Sequence, residues 1–412
     1  MIKIHIKQLG RIRDAVIELR PFMIFTGDSG LGKSYTAFLI DHVHQCIAGK
    51  CTELFIRERL MRITNEKNPR VDFSFILGDF RSWMAHDAER HLRYLTGNLA
   101  LRLSVAYDFG LADDTEFNFS FRENGDPNYC KFTFNGQTNT YPKDYFNWTK
   151  LYADSLSDFL FTRVIEGMGV MNSVILPPAR AAFMGARNAK SAFESIGMYA
   201  DFISLLDELH GATYFDTNDV DILRAVRSLC EGDLITRDAQ TFLRLPDGMT
   251  EIPISAAASS AKELAAFCML MLKAKDMDLY SILFEEPEAH VHPMKQNRVA
   301  DAIVRCRRRG TLFQITTHSD YILSRFNQLI RLGSLGKTDE ARFDDFCAQS
   351  GHDRDLYLLP DEVGAYFFRE GHDGVVRIDR QETAHGIPFT TFHDIVTQQE
   401  QVDDQIEMQT ER

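Results

Sequence analysis

Apolar and polar residues alternate through IKIHIK at 2–7 and again through AVIEL at 15–19, with LGRIRD between them. A period of two predicts two short antiparallel strands joined by a turn. The apolar run Phe22-Met23-Ile24-Phe25 then reads as a buried strand, and it empties into the glycine-crowded TGDSGLGKSY before a helical TAFLIDHV. The helical pattern continues from Asp41 to about Met61. A second helix is expected from Ala88 to about Thr96, stopped by Gly97-Asn98. In EFNFSFRENGDPNYCKFTF, residues 116–134, Phe117, Phe119 and Phe121 share one face, and Phe132 and Phe134 resume after Asn124-Gly125. That pattern predicts a β-hairpin.

VILPPARAAFMGA at 174–186 is the next landmark, followed by helical sequence to about Cys230. After Ile254 the rhythm is regular: a helix (262–275), a strand (280–284), a helix (293–309) ended by Gly310, and a strand (311–316). Such β-α-β alternation implies parallel strands covered by helices. The tail offers a hairpin, AYFFREGHDGVVRI, and a helix with Phe389, Phe392, Ile395, Val402 and Ile406 on one side. No repeat or low-complexity linker divides the chain. The expected organisation is a first half-core (1–110), a hairpin insert and helical lobe (111–250), and a second half-core (251–412).

Composition permits this. Of 412 residues, 44% are hydrophobic and 25% charged, enough for a large core and against global disorder. Acidic residues outnumber basic ones 59 to 46, a net charge of −13 that argues against nonspecific duplex binding. Seven scattered cysteines without a CxxC pair indicate neither a disulfide framework nor a zinc knuckle, and fit a reducing cytoplasm. No apolar run approaches the roughly 18 residues of a membrane span, and no signal-peptide core opens the sequence.

The glycine stretch fits GxxxxGK[ST], with Gly27, Gly32, Lys33 and Ser34 in the fixed places. A strand before it and a helix after it set this apart from an ordinary glycine-rich turn. Residues Gly27, Asp28, Ser29, Gly30, Leu31, Gly32, Lys33, Ser34 and Tyr35 are expected to wrap a nucleoside triphosphate, here ATP. Lys33 would reach its β- and γ-phosphates and Ser34 would hold Mg²⁺. SILFEEPEAHVHP at 281–293 delivers two acids at a strand's carboxyl end, where parallel sheets place their ligands. Glu285 is expected in the Mg²⁺ shell and Glu286 beside the attacking water.

The run ILFEEPEAHVHPMKQ resembles the Walker B and D-loop segment of ABC-type ATPase heads, in the branch containing OLD-family, RecF-like and SMC-like proteins. Glu285 stands where ABC proteins usually carry Asp, which implies slow or stimulus-dependent hydrolysis. The resemblance extends to QITTHSDYILSRF, placing His318 at the switch-histidine position, where a neutral imidazole can serve the γ-phosphate or the water. It makes ISAAASSAKELAAF a degenerate signature in which Ser259 and Ser260 would meet the nucleotide of a second copy, although Ala261 replaces the glycine. A plain N-cap with Glu263 three residues after Ser260 accounts for the same residues. Arg180 in LPPAR resembles a Pro-x-x-Arg element that presents arginine to phosphate or to a neighbour; a surface salt bridge is the alternative. His290 and His292 need no metal, because the D-loop resemblance covers them. RCRRRG at 305–310 suits a helix C-terminus better than nucleic acid.

The resemblance implies an α/β P-loop NTPase of ABC/SMC-head type, a mixed sheet with an antiparallel N-terminal flap, a β-hairpin insert and a helical lobe. No coiled-coil arm is present, and fewer than a hundred residues follow His318, with no acid set for a TOPRIM nuclease. The nearest likeness is to stand-alone OLD-like AAA ATPases of bacterial anti-phage systems such as Septu and PARIS. This implies a cytoplasmic homodimer or higher oligomer closed by an ATP sandwich, with a separate effector, nuclease or toxin, and no membrane. A RecF-like DNA-repair clamp, an importer subunit and a non-hydrolysing scaffold are the other readings; only the first of these requires DNA.

Overall fold

The computed structural model describes residues 2–66, 69–145, 147–164, 170, 172–184, 196–211, 219–238, 240–273, 280–388 and 402. The first elements are β1 (Lys3–Leu9), β2 (Ile12–Glu18), β3 (Phe22–Gly27), α1 (Lys33–Ile47), α2 (Lys50–Leu60), β4 (Phe73–Ile76) and α3 (Leu77–Thr96). Next come β5 (Leu103–Asp108), β6 (Glu116–Glu123), β7 (Tyr129–Phe134), β8 (Gln137–Pro142), α4 (Trp148–Val164) and β9 (Asn172–Leu176). Helices α5 (Gly197–Gly211) and α6 (Val220–Cys230) lead into β10 (Asp233–Arg237), β11 (Gln240–Arg244) and β12 (Glu251–Pro253). The remainder is α7 (Ser259–Leu272), β13 (Tyr280–Glu285), α8 (Pro293–Arg308), β14 (Leu312–Thr316), α9 (Asp320–Thr338), α10 (Glu340–Ser350), β15 (Val363–Glu370) and β16 (Val376–Gln381).

Among the described residues nine strands form the main sheet, in the order β5-β1-β2-β16-β15-β3-β14-β13-β9. The run β15-β3-β14-β13-β9 is parallel throughout, whereas β5, β1 and β2 pair antiparallel as the expected flap. Buried on both faces, β3 sends alternate side chains to two cores: Met23 and Phe25 to one, Phe22 and Ile24 to the other. Among the described residues no helix is long and apolar enough to cross a membrane.

The expected helix from Asp41 to Met61 is two helices. Ala48-Gly49 separates them, and Gly49 at φ +81° takes a left-handed conformation that ends α1 and caps α2. Helix α3 begins eleven residues before the expected Ala88, because Leu77, Phe80 and Met84 already carry the buried face that Ala88, Leu92 and Leu95 continue. The predicted hairpin is β6–β7, widened by β4 and β8 into a four-stranded antiparallel sheet. The meander β10-β11-β12 interrupts what reads as helix-to-helix sequence. The tail helix expected around Phe389, Phe392, Ile395 and Ile406 lies outside the described residues.

Helix α1 is buried nearly all round, and Asp41, His42 and His44 on it are partnered from three directions. Asp41 accepts from Ser173 Oγ (2.6 Å) in β9 and pairs with His91 (2.9 Å) in α3. His44 meets Ser281 Oγ (2.6 Å) in β13, and that hydroxyl also reaches Gln314 (3.2 Å) in β14. Such groups favour burial only when partnered, so the seam fixes the rotation of the helix that follows the glycine loop.

The insert packs as an aromatic layer. Phe119 stacks 4.7 Å from Phe73, lies 4.8 Å from Phe134 and meets the edge of Tyr152 at 5.2 Å. Phe119→Ala is expected to lower unfolding free energy by about 3–5 kcal/mol, measured by denaturant titration. A loss below about 1 kcal/mol would show that the layer closes without it.

Candidate functional site

Strand β3 ends at Gly27, whose φ of +118° only glycine tolerates readily. A Cβ there would also lie 2.2 Å from the Phe368 carbonyl oxygen of β15. Gly30 and Gly32 have φ of +75° and +91° and complete the loop that enters α1. Asp28, Ser29 and Gly30 are exposed at the rim, Leu31 is buried beneath it, and Ser34 and Tyr35 open the helix half-buried. Lys33 folds back, donating to the carbonyls of Gly27 (2.9 Å) and Asp28 (2.7 Å). Burial lowers its pKa to about 8 against the opposing pull of Glu286, Asp28 and Glu285. The loop borders a cavity of about 480 Å³ whose other walls include Glu286, Thr316 and His318.

Strand β13 brings Glu285 behind Ser34, beside this cavity rather than on its wall. Ser34 Oγ donates to Glu285 Oε2 (2.8 Å), while buried Oε1 has no hydrogen-bond partner among the described residues. Burial, reinforced by Glu286, pushes the Glu285 pKa up to about 7, and Ser34 only partly offsets this. A hydroxyl beside a carboxylate with an unpaired buried oxygen is a donor set that suits a hard divalent cation such as Mg²⁺. Glu286 follows at φ +44°, an uncommon conformation for a residue with a side chain, with its N–H on Thr316 O (3.0 Å). The half-buried His318 has its pKa lowered, by burial first and then by the Lys33 charge, so its imidazole is neutral at physiological pH.

Two residues that sequence reading left without roles shape this wall. Glu288 accepts from His318 N (2.7 Å) and Thr317 Oγ1 (2.9 Å), stitching the loop after β13 to the loop after β14. Its place inside EEPEAH was the available signal. Arg11, at the flap turn, lines the cavity, bonds Glu370 (2.6 Å) and reaches Gly30 O (3.4 Å). Only folding brings it there.

The expectation for Arg180 is corrected. The side chain is presented neither to solvent nor to the cavity: it is fully buried. Its guanidinium donates to the carbonyls of Pro177 (2.7 Å), Glu285 (2.6 Å), Glu286 (3.1 Å) and Glu263 (3.1 Å) and lies 4.7 Å over the Phe284 ring. The Glu263 carboxylate sits 3.2 Å away and accepts the N–H groups of Arg180 and Ala181. This inward turn also removes the capping-box reading of ISAAASSAKELAAF, since α7 has Ala258 as N-cap and no side-chain cap. Ser259 is exposed at its first turn; Ser260 accepts from Lys295 (3.5 Å), and neither lines the cavity.

His290 is exposed, and His292 caps α8, its Nδ1 accepting from Met294 N (3.3 Å). The arginines of RCRRRG are engaged internally: Arg305 with Asp353 (2.7 Å), Arg307 with Glu362 (3.4 Å), Arg308 on Tyr357 and Arg309 with Asp219.

Residues 190–324 match the family model described as "AAA domain, putative AbiEii toxin, Type IV TA system". That stretch contains Ser259, Ser260, Glu285, Glu286 and His318 and starts well beyond the glycine loop. Solved structures with similarity include an SMC head bound to the C-winged helix domain of ScpA, at 13% identity over 92% of this chain and 97% of that one, with a TM-score of 0.39. The SMC head domain from Thermotoga maritima gives 12% identity over 92% and 98%, with a TM-score of 0.36. An SMC head with an extended coiled coil, bound to the C-terminal domain of ScpA from Pyrococcus furiosus, gives 13% over 98% and 100%, also at 0.36. Curated proteins give no match. The P-loop fold is defined by this chain's own strand order and glycine geometry.

Removing the Arg180 guanidinium leaves the buried Glu263 charge without its counter-ion, held only by two backbone N–H groups, and deprives several interior carbonyls of their donor. Arg180→Ala is therefore expected to cost about 3–5 kcal/mol of stability, read by denaturant titration, and a near-neutral result would remove the clamp from the account. The Glu285 carboxyl generates a pH prediction. Its folded pKa of about 7 exceeds the ordinary 4.5, so the native state holds a proton the unfolded chain has lost, and stability falls as pH rises from 4.5 to 7. The full penalty above that window is about 3 kcal/mol. Glu285→Gln should accordingly raise the nucleotide-free melting temperature at about pH 8 and converge with wild type near about pH 5. Equal melting at the higher pH would refute this.

Proposed function

We propose that the chain is an ATP-binding and ATP-hydrolysing switch of ABC-head type, closed as a homodimer around ATP with Mg²⁺. The observation that carries this reading is the convergence of Lys33, Ser34, Glu286 and His318 on one cavity at the mouth of the glycine loop, with Glu285 bonded to Ser34 beside it. Loop N–H groups and the N-terminus of α1 would receive the phosphates, and Lys33 would exchange its two carbonyl partners for phosphate oxygens. Ser34 and Glu285 would hold Mg²⁺, which when bound neutralises charge on the β- and γ-phosphates. Glu286 would accept a proton from the attacking water while neutral His318 donates a hydrogen bond across the cavity. Ser259 and Ser260, off this cavity, would serve the nucleotide of the partner subunit.

The expected biological role is a cytoplasmic sensor or regulatory ATPase of an anti-phage defence system that controls a separate nuclease or toxin. The match to a family of AAA domains described as putative toxins of type IV toxin–antitoxin systems supports that direction. Lys33→Ala should abolish nucleotide binding. Glu286→Gln should retain it, lower turnover by about 10²–10⁴-fold and accumulate as an ATP-loaded dimer in light scattering. Turnover equal to wild type in Glu286→Gln would exclude Glu286 as the base, and a monomer at saturating ATP would exclude the sandwich.

A further inference from the structure

Behind the P-loop helix lies a group of side chains that the nucleotide site does not use. His42 and Cys46 stand one turn apart on one face of α1, and the chain reversal at Gly49 brings Cys51, in the first turn of α2, over them. A ring nitrogen of His42 and the two sulfurs all lie within 4.8 Å of one another. Cys46 Sγ is 4.0 Å from His42 Nε2, and Asp87 Oδ2 of α3 is 3.0 Å from that same nitrogen. On the ring's far side Tyr107 Oη stands 3.3 Å from Nδ1 and fixes the imidazole plane. All seven cysteines are free thiols.

We propose that His42, Cys46, Cys51 and Asp87 form a binding site for a thiophilic divalent cation of the zinc class. With bonds of about 2.0–2.3 Å, tetrahedral ligands stand roughly 3.3–3.8 Å apart. The separations of 3.0 and 4.0 Å bracket that range, the 4.8 Å limit among His42, Cys46 and Cys51 needs a shift of about 1 Å, within reach of side-chain rotation, and Asp87, outside that trio, closes the fourth position by turning toward the sulfurs. The donors are two sulfurs, an imidazole nitrogen and a carboxylate, a set that favours zinc over the oxygen-seeking magnesium. Outer contacts are in place: Tyr107 holds the far side of His42, and Arg90 Nε donates to the other Asp87 oxygen at 2.8 Å. That arginine also offsets the negative charge left by two thiolates and a carboxylate around a dication. Access exists, because half-buried Cys51 lines a cavity of about 400 Å³ bordered by α1, α3, α5 and β9. The spacing His-x₃-Cys-x₄-Cys is not a zinc-knuckle pattern, and it becomes a cluster only through the break between α1 and α2. A filled site ties the far end of the phosphate-cradling helix to α2 and α3.

The full-length chain, reduced and freed of metal, is titrated with Co²⁺ and, separately, with Zn²⁺. About one equivalent of Co²⁺ should give thiolate-to-metal charge-transfer absorption that Zn²⁺ abolishes. Zn²⁺ should also slow alkylation of Cys51, followed by peptide mass spectrometry, by about tenfold or more. Cys51→Ser should lose the band, Asp87→Asn should weaken binding by about tenfold or more, and Cys347→Ser on α10 should match wild type. Absence of the band in wild type, an unchanged band in Cys51→Ser, or a Cys46–Cys51 disulfide in protein prepared without oxidant would overturn the assignment. The alkylation measurement on wild type keeps the test decisive even where a variant fails to fold.

Discussion

The buried Arg180–Glu263 pair is the constraint from which the acidic wall takes its geometry. A guanidinium removed from water is costly unless every donor finds an acceptor, and here the acceptors include the carbonyls of Glu285 and Glu286 themselves. Those carbonyls are turned inward, so the two side chains are directed elsewhere: Glu285 to Ser34, Glu286 to the cavity. The left-handed backbone at Glu286 needs such an external hold, because its strain is not relieved locally. Lysine offers no planar fork to span these carbonyls and a carboxylate together.

The same pair sets the relation between two segments assigned different duties. Glu263 lies one turn into α7, just past Ser259 and Ser260, and it accepts the backbone N–H groups of Arg180 and Ala181. The start of α7, the loop after β9 and the end of β13 therefore share one buried polar knot. In the proposed dimer, a shift at the serines that meet the partner's nucleotide would be transmitted to the acids of the same subunit without passing through flexible chain. Glu288 supplies a second stitch on the far side, between the loops that carry Glu286 and His318.

Much of this was legible in the sequence wherever chemistry is written locally. The glycine loop, the double acid and His318 each sit in a short segment whose strand-to-loop context is visible in the residues, and the parallel β-α-β order follows from apolar runs separated by amphipathic ones. What sequence reading missed depends on distant partners. Arg180 reads as exposed because arginine usually is; only the five-carbonyl pocket closed by Leu176, Pro177, Glu263, Glu285 and Glu286 makes it interior. Strands β10 to β12 are three to five residues long, too short for a period of two to declare itself. The helix break at Gly49 was readable in principle, but the surrounding apolar spacing continues through it.

Helix α1 shows why the nucleotide loop can be both open and well placed. Its first turn must leave N–H groups free for phosphate, so the helix cannot be secured from that end. Positioning therefore falls further along the helix, where Asp41, His42 and His44 are fully buried and are partnered from β9, α3 and β13. Apolar contacts alone would permit sliding along the sheet; directional hydrogen bonds from β9, α3 and β13 do not. Because His44 has its pKa lowered to about 4 by burial, its bond to Ser281 is made by a neutral ring and carries no charge cost at physiological pH. The loop's freedom to accept a ligand thus depends on polar order about ten residues further along the chain.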